Sequence, residues 1–177
     1  MDLAGLAELL GEAARKAEGA ALPCAMEMAE AFTDQVTKVT LRRYPHGPFD
    51  RTPAPRSGPP GMVSGDLADS FVITAGASGG GVGSAYSGPT VPYARIQQMG
   101  GEIFARNRRA LMWRTDYETP NTNIAKSERE GGGLFLNFAR HVHLPARDYM
   151  RRGLEECIAS GELERRKCDV FMAEVWG

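Results

Sequence analysis

The sequence predicts an α+β fold: a small antiparallel sheet covered on one face by helices, with long extended arms. Three observations carry that expectation. Apolar residues recur at three- and four-residue spacing near both ends of the chain. Short β-branched and aromatic runs punctuated by glycine fill the middle, and two polar excursions rich in proline or glycine interrupt it. At 177 residues the chain suits one domain, 1–177. It divides into N-terminal helices (1–44), a proline-rich arm (45–61), and an α+β core (62–177) with an excursion at 115–139.

Leu3, Leu6, Leu10, Ala13, Ala14 and Ala17 follow an Asp2 cap candidate and predict an amphipathic helix ending near Gly19. A second helix should begin at Pro23 and carry Met28, Phe32, Val36 and Val39 on one stripe until Tyr44-Pro45 stops it. The arm holds Pro45, Pro48, Pro53, Pro55, Pro59 and Pro60, a density neither helix nor sheet tolerates. After a helical turn at Asp66–Ser70, the Phe71–Thr74 and Val82–Tyr86 runs read as a hairpin. Val91–Met99 reads as a short helix closed by Gly100-Gly101. Leu111-Met112-Trp113 and His141–Leu144 are the remaining strand candidates for the same sheet. Pro145 suits the first position of a C-terminal helix that buries Met150, Leu154, Cys157 and Ile158 and stops at Gly161. The tail to Trp176 adds an apolar edge of undetermined type.

Charge and cysteine content narrow the function classes. A net charge of -1 provides no global field for nucleic acid or an anionic membrane, so any such contact must be local. Cys24, Cys157 and Cys168 make no C-x-x-C pair and read as buried free thiols. No run of 18 apolar residues exists, and the N-terminal stretch lacks the basic start of a signal peptide. The expected setting is a reducing cytoplasm or a particle built there.

The search for chemistry returns little. Gly79–Gly83 lacks the Lys-Ser or Lys-Thr of a phosphate loop and reads as a mobile hairpin tip. His141 and His143 share one side of a strand, but His46, the only other histidine, lies in the arm, so no metal is expected. No nucleophile-and-base signature appears, so the chain reads as a non-enzyme without cofactor. The acids of Glu155-Glu156 and Glu162-Leu163-Glu164 alternate with Arg151, Arg152, Arg165 and Arg166 as on a solvated, charge-paired face. Arg106, Arg108 and Arg109 beside Trp113 form the one compact basic cluster lacking nearby acids apart from Glu102, suited to nucleic acid or to acids of a neighbouring subunit.

Three separated stretches carry a resemblance. The first is Ser57-Gly58 through Ser64-Gly65-Asp66-Leu67-Ala68-Asp69-Ser70-Phe71. The second is Val82-Gly83-Ser84 followed by Pro92-Tyr93-Ala94-Arg95-Ile96-Gln97-Gln98-Met99-Gly100-Gly101. The third is Leu144-Pro145-Ala146-Arg147-Asp148-Tyr149-Met150. In order and spacing they resemble the phage virion-morphogenesis family typified by the tenth gene product of phage HK97, across residues 57–160. Asp148 departs from the pattern, since many relatives have proline there.

The resemblance implies a neck or tail-completion subunit at the head–tail junction of a virion, made in the host cytoplasm. Its partners would be copies of itself in a ring of six, a head-closure or connector protein, and a tail tube or tail terminator protein, with DNA passing through the lumen unbound. A tail terminator capping the tube, or a nucleic-acid-binding module, is the alternative. Leu67, Ser70, Tyr93, Gln97, Gly100, Gly101 and Arg147 are then the expected architectural or interface residues. Physically, Leu67 should bury, Ser70 should cap, Tyr93 should bury its ring and bond through its hydroxyl, and Gly100-Gly101 should take positive φ. Arg147, poorly placed against a helix dipole, calls for a fixed carboxylate.

Overall fold

The computed structural model describes residues 3–45, 58–62, 64–106, 110–115, 125–127 and 134–177, without the side chains of 3–4, 112–115, 125–127 and 134–138. The fold is α+β, helices with small antiparallel sheets. Asp2, residues 46–57 of the arm, and parts of the 115–139 excursion lie outside the described residues.

A single helix, α1 (Leu3–Asp34), replaces the two expected in the N-terminal region, with Pro23 inside it. Proline removes one i→i−4 bond, here to Gly19, and normally breaks a helix at a cost of about 3 kcal/mol. Packing on two flanks offsets that cost. At 100° per residue, the α1 positions that meet the C-terminal helix (Ala13, Cys24, Glu27, Asp34) lie opposite those that meet the hairpin (Glu18, Ala21, Thr33). After Asp34 the helix widens into a π-helical segment, Gln35–Thr40, closed by Leu41 N–H donating to the Val36 carbonyl at 2.8 Å. The Thr33 and Thr37 hydroxyls donate back to the carbonyls of Ala29 and Thr33, and the β-branched run from Val36 to Thr40 favours an ordinary helix poorly. The helical stretch therefore stops before Tyr44-Pro45.

After α2 (Asp66–Asp69) comes a hairpin of β1 (Phe71–Gly79) and β2 (Val82–Pro89), longer than the sequence suggested. Gly80 and Gly81 form its tip at φ 57° and 76°, the two positive values that a two-residue hairpin turn requires. Gly83 lies so close to α1 that a Cβ would fall 2.3 Å from the Ala21 carbonyl, and Thr33 Oγ1 and Ser87 Oγ are 2.6 Å apart. Helix α3 (Ala94–Met99) follows, then β3 (Gly101–Phe104), β4 (Leu111–Thr115), β5 (Ala125–Ser127), β6 (Leu134–Ala139) and β7 (His141–Leu144).

The expected single sheet is corrected to three. β1 pairs with β2, β3 with β7, and β4 with β6, which also pairs with β5. The strand at Gly101–Phe104 had no sequence forecast because its partner is 40 residues away in the chain. The described parts of the 115–139 excursion are strands rather than open loop.

The C-terminal region holds α4 (Tyr149–Ala159) and α5 (Glu162–Trp176), joined at Gly161 with φ 71°. Pro145 is not the first residue of α4; Asp148 is its N-cap. The buried face of α4 is Tyr149, Gly153 and Cys157, against the π segment, while Leu154 and Ile158 of the expected face are exposed. Gly153 sets this spacing, since a Cβ there would come within 2.4 Å of Val36. Cys24 and Cys157 are buried as expected, but Cys168 is exposed.

The central cluster of Val36, Leu41, Ala68 and Tyr149, flanked by Phe32, Leu67, Phe71 and Met150, sits where the π segment, α2, β1 and α4 meet. Helix α5 runs antiparallel along α1, from Arg166 beside Asp34 to Trp176 beside Leu9. Arg166 fastens the pair: it reaches Glu162 at 2.8 Å, Asp34 at 3.0 Å and Glu27 at 3.3 Å. Hydrogen bonds from Arg165 and Arg166 hold the Glu162 carboxyl at about 2. Asp34 is lowered too, through Lys38 first and then Arg166.

A carboxylate whose folded pKa is depressed contributes stability above its unfolded value and loses it as pH falls through the folded one. Melting temperature should therefore be level above about pH 5 and fall between about 4.5 and 2. Glu162→Gln should melt lower than the parent at neutral pH and converge with it near the acid end. Parallel curves across a pH series of calorimetric scans would refute the assignment.

Candidate assembly site

Described parts of the three stretches of the resemblance, Pro59–Leu67, Tyr93–Gly101 and Leu144–Met150, meet at one seam, while Val82–Ser84 of the second lies at the hairpin tip beside α1. Arg147 N–H donates to the Gln97 carbonyl at 3.0 Å and Asp148 N–H to the Gln98 carbonyl at 3.2 Å. Gly101 pairs with Leu144. A cavity of about 130 Å3 joins the first stretch to the second, lined by Leu41, Pro60, Met62, Leu67, Tyr93 and Gln97.

Ser70 caps as expected. Its hydroxyl donates to the Leu67 carbonyl at 2.9 Å, and its carbonyl accepts from Thr90 N–H at 3.0 Å. Leu67 is half-buried, with Ala68 taking the fully buried place beside it. Gly100 adopts φ 70°, and a Cβ there would lie 2.6 Å from Ala146 N and 2.8 Å from the Leu144 carbonyl. Gly101 also has positive φ, at 144°, with room beside Ile96. The Arg147 guanidinium reaches the Pro59 carbonyl at 3.5 Å, which ties the end of the arm to the entry of α4.

Two readings are corrected. Tyr93 does not bury its ring: it is 41% exposed at the cavity edge, and its hydroxyl makes no hydrogen bond among the described residues. Tyr149 is the buried tyrosine, at 0% exposure, and its hydroxyl has no hydrogen-bond partner among the described residues. Burial, then the neighbouring Tyr93, pushes its phenol up to about 12, so it stays protonated.

Gln98 is the seam residue whose structural part sequence reasoning passed over. Its amide donates to Asp148 Oδ1 at 2.7 Å, and its side-chain oxygen accepts from Met150 N–H at 3.1 Å. It thus satisfies an orphan donor at the start of α4 from 52 residues away, a role no local pattern encodes. Asp148 stands at φ 26°, and Arg151 holds its carboxyl below the usual range. A proline is locked near -65° and could not occupy that conformation. Asp148 thus takes a backbone conformation at the entry to α4 that proline could not.

Arg106 is exposed, while Arg108 and Arg109 fall outside the described residues. His141 stacks near Phe104 with ring centroids 5.7 Å apart, and His143 sits opposite Glu102. Among the described residues no group of three His, Cys, Asp or Glu side chains could hold a metal, and no helix is long and apolar enough to cross a membrane. On α4 and α5 the arginine–carboxylate pairs form as the sequence suggested, except that Glu156 turns inward. Burial opposes its charge, but Arg43, Gln35 and Thr40 outweigh that and lower its pKa. Comparison with protein-family models, curated proteins and solved structures finds no match.

Gly100→Ala should lose more than about 2 kcal/mol in urea unfolding, because strain and overlap with backbone atoms add. Gly88→Ala, with open space around it, should change little; equal losses at the two positions would remove the claim. Tyr149→Phe should leave the melting temperature unchanged or raise it, since an unpaired buried hydroxyl costs about 1–3 kcal/mol. A clear drop would mean that the hydroxyl has a partner.

Proposed function

We propose that the chain is a structural subunit of the phage head–tail junction, a neck or tail-completion protein that works by assembling into a ring between the connector and the tail tube. The observation that carries this reading is the imbalance between core and surface. Among the described residues, the buried apolar side chains larger than cysteine are Val36, Leu41, Pro59, Tyr149 and Val175. Sixteen large hydrophobic residues are exposed, Leu10, Val82, Tyr86, Met99, Phe104, Ile158 and Trp176 each by 60% or more. Scattered exposed leucines are ordinary, but this surplus over so small a core suits a subunit that completes its burial against others.

The resemblance supplies the place. Its described motif residues hold one another through backbone bonds and the close-packed Gly100, and among them no nucleophile stands beside a base. That favours architecture over catalysis at the seam. The ring would be homomeric, with DNA passing through its lumen.

Light scattering of the purified chain across concentration should give a mass that is an integral multiple of the subunit, six copies being the expectation, and virions should contain the protein. A permanent monomer that is also missing from the virion proteome would refute the reading.

A further inference from the structure

We propose that the β1–β2 hairpin is the ring-forming element: the outer edge of β2 in one copy pairs with the outer edge of β1 in the next, so that a continuous antiparallel sheet runs through the assembly. This rests on the ring reading above and specifies its interface.

From Phe71 to Ala94 the chain carries no charged residue. That stretch forms a two-stranded sheet, and among the described residues no third strand lies on either edge. Bare edges expose unpaired N–H and C=O groups, and folded proteins usually guard them with lysine, other charges or a covering element. Here the irregularity between Ala75 and Ser78 and Pro89 at one end are the only interruptions. The Thr90 N–H donates to Ser70 O, directly opposite, which fixes the alternation of the ladder. Val72 with Gly88 and Thr74 with Tyr86 are then the bonded pairs. The N–H groups of Ile73 and Ala75 on one edge, and of Ala85 and Ser87 on the other, point outward.

The hairpin is held ready for a partner. Its inner face is pinned to α1 by the Thr33–Ser87 contact and the close approach of Gly83 to Ala21. Its outer face carries Val72 at 51% and Tyr86 at 67% exposure, with the Tyr86 ring against Gly76. Only an extended strand offers donors and acceptors at the matching spacing. A second copy is the occupant because every copy carries both kinds of edge. Two-fold pairing of like edges would leave the other edge bare. Head-to-tail pairing satisfies both and, with a closing rotation, yields a ring.

The test is residue-resolved amide hydrogen exchange on the full chain, in samples sized by light scattering. The Ile73, Ala75, Ala85 and Ser87 amides should exchange at least a hundredfold more slowly in the assembly than in the free subunit. Thr74→Lys, on the exposed face, should raise the concentration for half-assembly at least tenfold while circular dichroism stays unchanged. An assembly whose four amides still exchange freely, or one indifferent to Thr74→Lys, overturns the edge pairing and leaves the neck reading standing. An assembly that stops at two copies overturns the edge pairing and the homomeric ring together. A chain that remains monomeric at every concentration overturns the homomeric ring as well.

Discussion

The packing of α5 and the β1–β2 hairpin on opposite flanks of α1 is the constraint on which the described fold depends. Neither a two-stranded sheet nor a lone helix of 15 residues is stable in water by itself. Each becomes stable by covering a face of the same long helix, and that helix tolerates Pro23 because both flanks are covered. Arg166 fixes the axial position of α5 by engaging three carboxylates, two on α1 and one on its own helix. Its side chain is 24% exposed, so solvent screens these pairs only in part. Gly83 plays the corresponding part for the hairpin, since only a residue without Cβ lets the strand approach the Ala21 carbonyl so closely.

The π segment turns this scaffold into a core. It buries Val36 and Thr40 completely, and Gly153 lets α4 come against them. The Thr40 hydroxyl donates to Glu156, which Arg43 and Gln35 also hold, so a polar network closes the rim of the apolar cluster. The seam of α3, β3 and the entry to α4 is then built against the same cluster through Tyr149. Two costly features stand side by side there: the positive φ of Asp148 and the unpaired hydroxyl of Tyr149. They persist because Gln98, Arg151 and the surrounding burial hold them.

Element types were legible wherever the pattern was local. The hairpin with its glycine tip, the Asp66 turn closed by Ser70, the stops at Gly100 and Gly161, and the β7 strand could all be read along the chain, because alternation and glycine act over a few residues. The continuity of α1, the π segment, the Gly101–Phe104 strand and the division into three sheets could not, because each depends on partners distant in sequence. The candidate site divides the same way. Ser70 and Gly100 play the parts their local chemistry announced, whereas Gln98 and Tyr149 acquire theirs from contacts about 50 residues away or from burial.

By itself, then, the sequence determined the α+β class, the stops at Gly100 and Gly161, and the three stretches that carry the family resemblance. Only the tertiary structure decided that parts of those stretches meet at one seam, that α4 buries Tyr149, Gly153 and Cys157 while exposing Leu154 and Ile158, and that no third strand among the described residues lies on the hairpin edges. The physical reason is range. Propensity, capping and turn chemistry act through neighbours along the chain, whereas burial is settled by which surfaces meet, and here the meeting points are glycines whose missing side chains leave no periodic signal.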